Sequence, residues 1–169
     1  MNGFSFKPVA AGVILSLFAL LAGMMHGMAF GANEAGIKKI FKASAEAANP
    51  GNAELAKEYS SDAWKTLKRA HLHFMGLGAA ALAMCLFAGL SNVSKSLKLA
   101  ASTLVGFGAL VYPIYYTVAS FKVASAGEDV AHETFELIAQ AGAGSSLIGL
   151  LAMIFIAFRW ALSSGETAA

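Results

Sequence analysis

The chain holds four histidines, His26, His71, His73 and His132, each at the margin of a long apolar stretch. Imidazole can ligate a metal, serve as an axial ligand of haem iron, or exchange a proton near neutral pH. Ionisable side chains at the edge of apolar membrane segments are costly to insert and usually mark a site. His71 and His73 lie two residues apart, about 200° around a helix axis, so a regular helix cannot bring both to one metal.

Neighbouring residues narrow the chemistry. His73 shares a strip with Gly76, Ala80 and Met84, and His71 shares one with Met75, Gly78 and Leu82. His26 shares its side with Ala19, Ala22 and Gly23, and His132 precedes Glu136, Ala139 and Ala143 at helical spacing. Small residues beside an imidazole leave room for a flat macrocycle, although Gly23, Gly27 and Gly31 also form a doubled G-x-x-x-G that suits plain helix contact. Tyr112 and Tyr116 share a face near the histidines and offer hydroxyls to a haem propionate or a quinone carbonyl. Lys65, Lys68 and Arg69 bring positive charge suited to propionates. Snorkelling and interfacial anchoring are the ordinary roles of such residues. Met24 and Met28 flank His26, and thioether with imidazole suits Cu(I), but methionine also fills gaps in apolar cores.

Four apolar stretches position these residues, at about 8–31, 70–90, 99–121 and 135–160, each long enough for a bilayer crossing. The composition agrees: of 169 residues, 57% are hydrophobic and 13% charged, and the mean hydropathy is +0.63. Soluble domains carry about a quarter charged residues. The expected fold is all-α, an integral membrane four-helix up-down bundle forming a single domain. A helical hairpin extension over 33–69 lies outside the membrane between the first two spans. In an up-down path all four histidines lie on the hairpin side. The first stretch is too long for a typical signal peptide and is expected to be retained. Cys85 is the only cysteine and lies mid-span, which excludes an intrachain disulfide. The net charge of +2 and the lack of a basic patch with interleaved aromatics argue against nucleic acid.

Within the hairpin, Asn33 is a candidate N-cap, with Ile37, Ile40, Phe41 and Ala45 along one face and a break expected near Gly31 or Gly36. Asn49-Pro50-Gly51-Asn52 is a strong turn signal. A second helix should start at Ala53, with Ser61-Asp62 as a cap for a fresh start. The connectors expected at 91–98 and 122–129 are short, and Glu128 and Asp129 suit the first turn of the last helix. Antiparallel arms place residues at equal height when they are equally far from the turn. His26 lies 24 residues before Pro50 and His73 lies 23 after it. At about 1.5 Å per residue the two should face each other at one level. Pro113 should free a carbonyl and kink the third span.

Basic residues occur on both sides of the expected bundle, and a positive-inside count puts the hairpin in the cytoplasm. The hairpin's lysines are interspersed with acids, so its sidedness stays open. No P-loop, Rossmann glycine pattern, H-E-x-x-H, serine elbow or C-x-x-C-H occurs. Without the last, any haem would be held non-covalently. Architecture and histidine placement resemble small four-helix membrane b-type cytochromes.

The functional expectation is a b-type haem protein of the bacterial cytoplasmic (inner) membrane, carrying electrons between quinone or quinol and a redox partner protein. His26 and His73 are the first metal-ligand pair, and His71 and His132 the ligands of a second haem or groups of a quinone site. Tyr112 and Arg69 are expected to contact the cofactor. Copper binding around Met24, His26 and Met28 is one alternative. A cofactor-free structural subunit of a respiratory complex, or a homo-oligomer bound through glycine-rich faces, is the other.

Overall fold

The computed structural model of the chain describes residues 5–165. Four long helices account for nearly all of it: α1 (Ala10–Ala48), α2 (Ala53–Leu90), α3 (Lys95–Ala126) and α4 (Glu128–Gly165), with one 3-10 turn at Lys7–Val9 ahead of α1. All four are long and apolar enough to cross a membrane, with mean hydropathies of 1.5 to 2.2 over their most apolar windows.

The punctuation is local. Asn49-Pro50-Gly51-Asn52 reverses the chain, and the Asn52 side chain caps α2 by accepting from the Leu55 amide at 3.1 Å. Ser94 caps α3 in the same way through the Leu97 amide at 3.3 Å. Gly127 alone separates α3 from α4, at φ +84°. That conformation favours glycine, and the absent side chain leaves room for the Tyr59 ring, 2.9 Å from where a Cβ would stand. Glu128 and Asp129 occupy the first turn of α4, where the helix dipole favours acids.

Three expectations change in detail. The break in α1 falls at Asn33 (φ −150°, ψ 39°), between the two glycines expected to host it. The Asn33 side chain folds over Gly36, whose lack of a Cβ makes the close approach possible. No fresh start occurs at Ser61-Asp62: α2 is continuous there, and Asp62 pairs with Lys65 one turn on at 2.8 Å. At Pro113 α3 keeps helical backbone angles, whereas α4 departs from them at Phe135 (φ −115°, ψ 16°).

Packing relies on small residues. Buried alanines such as Ala19, Ala81, Ala88, Ala101 and Ala109 share one core with Phe74, Cys85, Met153 and Ile156. A second core, nearer the hairpin, gathers Phe41, Leu67, Tyr115, Ala119 and Val123. Of the expected hairpin face, Phe41 and Ala45 are buried, but Ile40 is exposed. The α3 helix is the hub, touching the other three along extended contacts, whereas α4 touches α2 only slightly and α1 nowhere among the described residues. The apolar window of α4 is accordingly the least buried of the four.

Backbones approach closely at glycines. A Cβ on Gly12 would lie 2.5 Å from the Ser102 carbonyl carbon and 2.8 Å from Cys85 Sγ. One on Gly142 would lie 2.6 Å from the Tyr112 amide nitrogen, while Gly76 and Gly31 face open space. Gly12→Ala should therefore lower stability in detergent by about 1–3 kcal/mol through overpacking, and Gly76→Ala should leave it unchanged or slightly raised. Equilibrium unfolding of the two variants checks this; equal midpoints would contradict the α1–α3 contact.

Candidate functional site

Three of the four imidazoles are held the same way. His26 Nδ1 lies 2.8 Å from the Ala22 carbonyl oxygen. His71 Nδ1 lies 2.8 Å from the Gly23 carbonyl oxygen of the facing helix, and His73 Nδ1 lies 2.8 Å from that of Arg69. A carbonyl oxygen only accepts, so Nδ1 must carry the proton in each ring. The neutral imidazole then presents Nε2 as a lone pair, the arrangement in which a backbone carbonyl prepares a histidine to bind metal.

The seat of His71 is built by glycine. On α1, Gly23 supplies the accepting carbonyl, and Gly27 lets the imidazole lie flush, 3.0 Å from where a Cβ would stand. Gly31, the last member of the doubled motif, touches nothing within 4 Å. The first two glycines thus serve the imidazole as well as the helix contact.

His26 and Phe74 stand at one level, ring centroids 5.2 Å apart. Phe74 lies 24 residues after Pro50, as His26 lies 24 before it. Equal distance from the turn thus brings His26 against Phe74, the residue next to His73. Side chains one position apart on a helix diverge by about 100°, and His73 turns towards α3 instead. There it stacks on Tyr116 at 5.0 Å and 22° and meets the edge of Tyr112 at 5.4 Å. No ring contact joins His26 to His73 among the described residues.

His26 and His71 are instead joined through a shared neighbour. Both touch Phe30, at centroid distances of 6.1 and 5.6 Å, with interplanar angles of 85° and 72°. Trp64 closes over Phe30 at 5.1 Å. His26 Nε2 also meets Thr117 Oγ1 of α3 at 3.2 Å. With Nδ1 protonated, the threonine must be the donor in that contact. Thr117 Oγ1 lies 3.1 Å from the Pro113 carbonyl as well, so its hydroxyl has a second acceptor to turn to. Beside this pair an apolar groove of about 320 Å³ opens between α1 and α3, lined by His26, Phe30, Ile40, Leu67, Thr117 and Phe121 among others.

His73 and His132 are linked through tyrosines. The Tyr115 hydroxyl is hydrogen-bonded to His132 Nδ1, and the Tyr115 ring lies 4.8 Å from that of Tyr116. Tyr112 and Tyr116 share a hydroxyl contact at 3.2 Å. His132 itself is exposed. His71 and His132, expected to act together, belong to different groups.

The basic residues above the histidines are engaged elsewhere. Arg69 Nη1 reaches Glu128 Oε1 at 3.5 Å, and its backbone carbonyl, not its guanidinium, serves His73. Lys38 and Lys68 lie over the Trp64 ring at 5.1 and 5.8 Å. Lys65 is exposed, and its hydrogen bond and charge pairing with Asp62 hold its ammonium above the usual lysine range. Met24, Met25 and Met28 are exposed at 57%, 57% and 64%, while His26 points inward to α3. Thioethers and imidazole are therefore not gathered around one point. Among the described residues no three His, Cys, Asp or Glu side chains cluster.

Thr117 and Tyr115 are site residues that the sequence reasoning did not assign. Thr117 carried a signal, being four residues after Pro113 and so on the same face as the interrupted helix turn. The chain matches no protein-family model, no curated protein and no solved structure.

In cofactor-free protein, Thr117→Val removes the donor to His26 Nε2 with little change of shape. Leaving that half-buried acceptor unmet should cost about 1 kcal/mol, read as a lower unfolding midpoint. An unchanged midpoint would show that the contact carries no weight.

Proposed function

We propose that this chain is an integral membrane b-type haem protein carrying electrons between quinone or quinol and a redox partner protein near its histidine end. In this reading the helices run up-down-up-down across a bacterial cytoplasmic (inner) membrane, and the arms of the Pro50 hairpin extend outside the lipid. The observation that carries the proposal is the His26–His71 pair. Two imidazoles from two helices donate their Nδ1 protons to the consecutive carbonyls of Ala22 and Gly23, which leaves both Nε2 atoms as lone pairs.

The surroundings support a flat group there. Both imidazole planes stand nearly perpendicular to the one aromatic ring they share, Phe30. Ligands projecting from facing helices are how bundles hold cofactors. His26 and His71 would hold the haem, and Thr117 would turn its hydroxyl to the Pro113 carbonyl when His26 Nε2 is engaged. Haem supplies reversible one-electron chemistry at such a position. His73 and His132, joined through Tyr112, Tyr115 and Tyr116, are the groups for a second haem or for a quinone. Tyrosine hydroxyls can hydrogen-bond quinone carbonyls, and the apolar groove beside His26 is open to a lipid-soluble ring.

The test is an optical spectrum of the membrane-extracted, haem-supplemented protein, oxidised and then reduced with dithionite. A Soret band that shifts on reduction is expected. His26→Ala and His71→Ala should each lower haem content by at least about tenfold, while His73→Ala should retain most of the absorbance of the first site. No Soret band in wild-type protein, or full retention in His71→Ala, would refute the assignment.

A further inference from the structure

At the opposite end of the molecule a buried lysine has no carboxylate partner among the described residues. Lys98 is 6% exposed and lies on the first turn of α3. Its ammonium donates to the Ser91 carbonyl at 2.5 Å and the Gly89 carbonyl at 3.3 Å. These carbonyls end α2, and a helix C-terminus offers only about half a negative charge. An ammonium has three donors, so one is left after these two bonds.

Among the described residues no carboxylate answers the remainder, and Glu166 lies outside them. The sequence contains no Asp or Glu between residues 63 and 127, nor from 1 to 33. Buried charges are normally paired, because an unpaired one is expensive to desolvate. Lys98 instead lines a hollow of about 260 Å³ together with Lys95, Ser5 and Pro8. A second hollow of about 350 Å³ shares Ser5, Pro8 and Lys95 with it and adds Lys7 and Leu99. Three lysines thus border two adjoining hollows that meet at Ser5, Pro8 and Lys95, and among the described residues none of them has a carboxylate partner. The first-turn amides of α3 lie at the same place and favour an anion.

We propose that these adjoining hollows bind the phosphate of an anionic phospholipid headgroup, or a free phosphate of the same chemistry, between Lys7, Lys95 and Lys98. Pro8 and Leu99 supply the apolar border that the glycerol end of a lipid would meet. The site lies at the end of the helices remote from the histidines and does not depend on any cofactor.

The full-length protein, in nanodiscs of phosphatidylcholine alone or mixed with phosphatidylglycerol, provides the test. Thermal unfolding and native mass spectrometry read the binding, and a third arm adds inorganic phosphate to the phosphatidylcholine discs. Phosphatidylglycerol should raise the midpoint and remain bound on transfer to the gas phase. A juxtamembrane lysine is worth about fivefold in affinity for an anionic surface, so Lys7→Ala with Lys95→Ala should cut retention by at least about fivefold. Lys39→Ala with Lys57→Ala, at the other end, should keep it. Protection by inorganic phosphate alone would identify free phosphate as the ligand, and protection only by phosphatidylglycerol would identify the headgroup. Equal behaviour in every lipid and in phosphate, or equal loss from both lysine pairs, would overturn the proposal. Lys98→Met probes the buried donor, and if it fails to fold the surface pair still decides.

Discussion

Close approach of helix backbones is the constraint on which the rest of this structure depends. These apolar helices associate through close packing and through polar contacts made possible by small residues. Here the contacts are Gly12 against the Ser102 carbonyl, Gly108 against Ser146, and Gly142 against the Tyr112 backbone. Each fixes both the distance and the axial register of a helix pair. Any larger side chain at these points would push the helices apart and shift the histidines relative to one another.

The same closeness makes buried polar groups affordable. Ser16 donates to the Gly12 carbonyl at 2.8 Å, and Cys85 Sγ lies 3.6 Å from the Ser102 carbonyl. The Gly23 carbonyl is reached by His71 from the neighbouring helix only because Gly27 leaves room for the ring. Packing and the seating of the imidazole are therefore one device on this face of α1. Where α4 lies, the arrangement is looser: it leans on α3 alone for most of its length, and Leu137, Leu147, Leu151 and Phe158 are exposed.

Much of the helix layout was legible because its signals are local. Asn49-Pro50-Gly51-Asn52, the acids after Gly127 and the lengths of the apolar runs each act within a few residues of where they stand. The height of His26 was legible for the same reason, since rise per residue is fixed. What was not legible was azimuth. Whether His73 or Phe74 faces His26 depends on a rotation of α2 by one residue, and that rotation is set by Gly23, Gly27, Gly78 and their neighbours acting together. Sequence spacing alone cannot rank those contacts. Thr117 escaped notice because its partner is 91 residues away in the chain, and the marginal place of α4 because a long apolar run reads alike at a core and at a lipid face.

The central claim is that His26 and His71 are held with protonated Nδ1 and a bare Nε2 by the carbonyls of Ala22 and Gly23. Nitrogen-15 NMR of the imidazoles in cofactor-free, lipid-embedded protein, with His26→Ala and His71→Ala for assignment, reads this tautomer directly. A protonated Nδ1 and an unprotonated Nε2 are expected for the neutral ring at both positions. A neutral ring at His71 protonated on Nε2 would contradict the account.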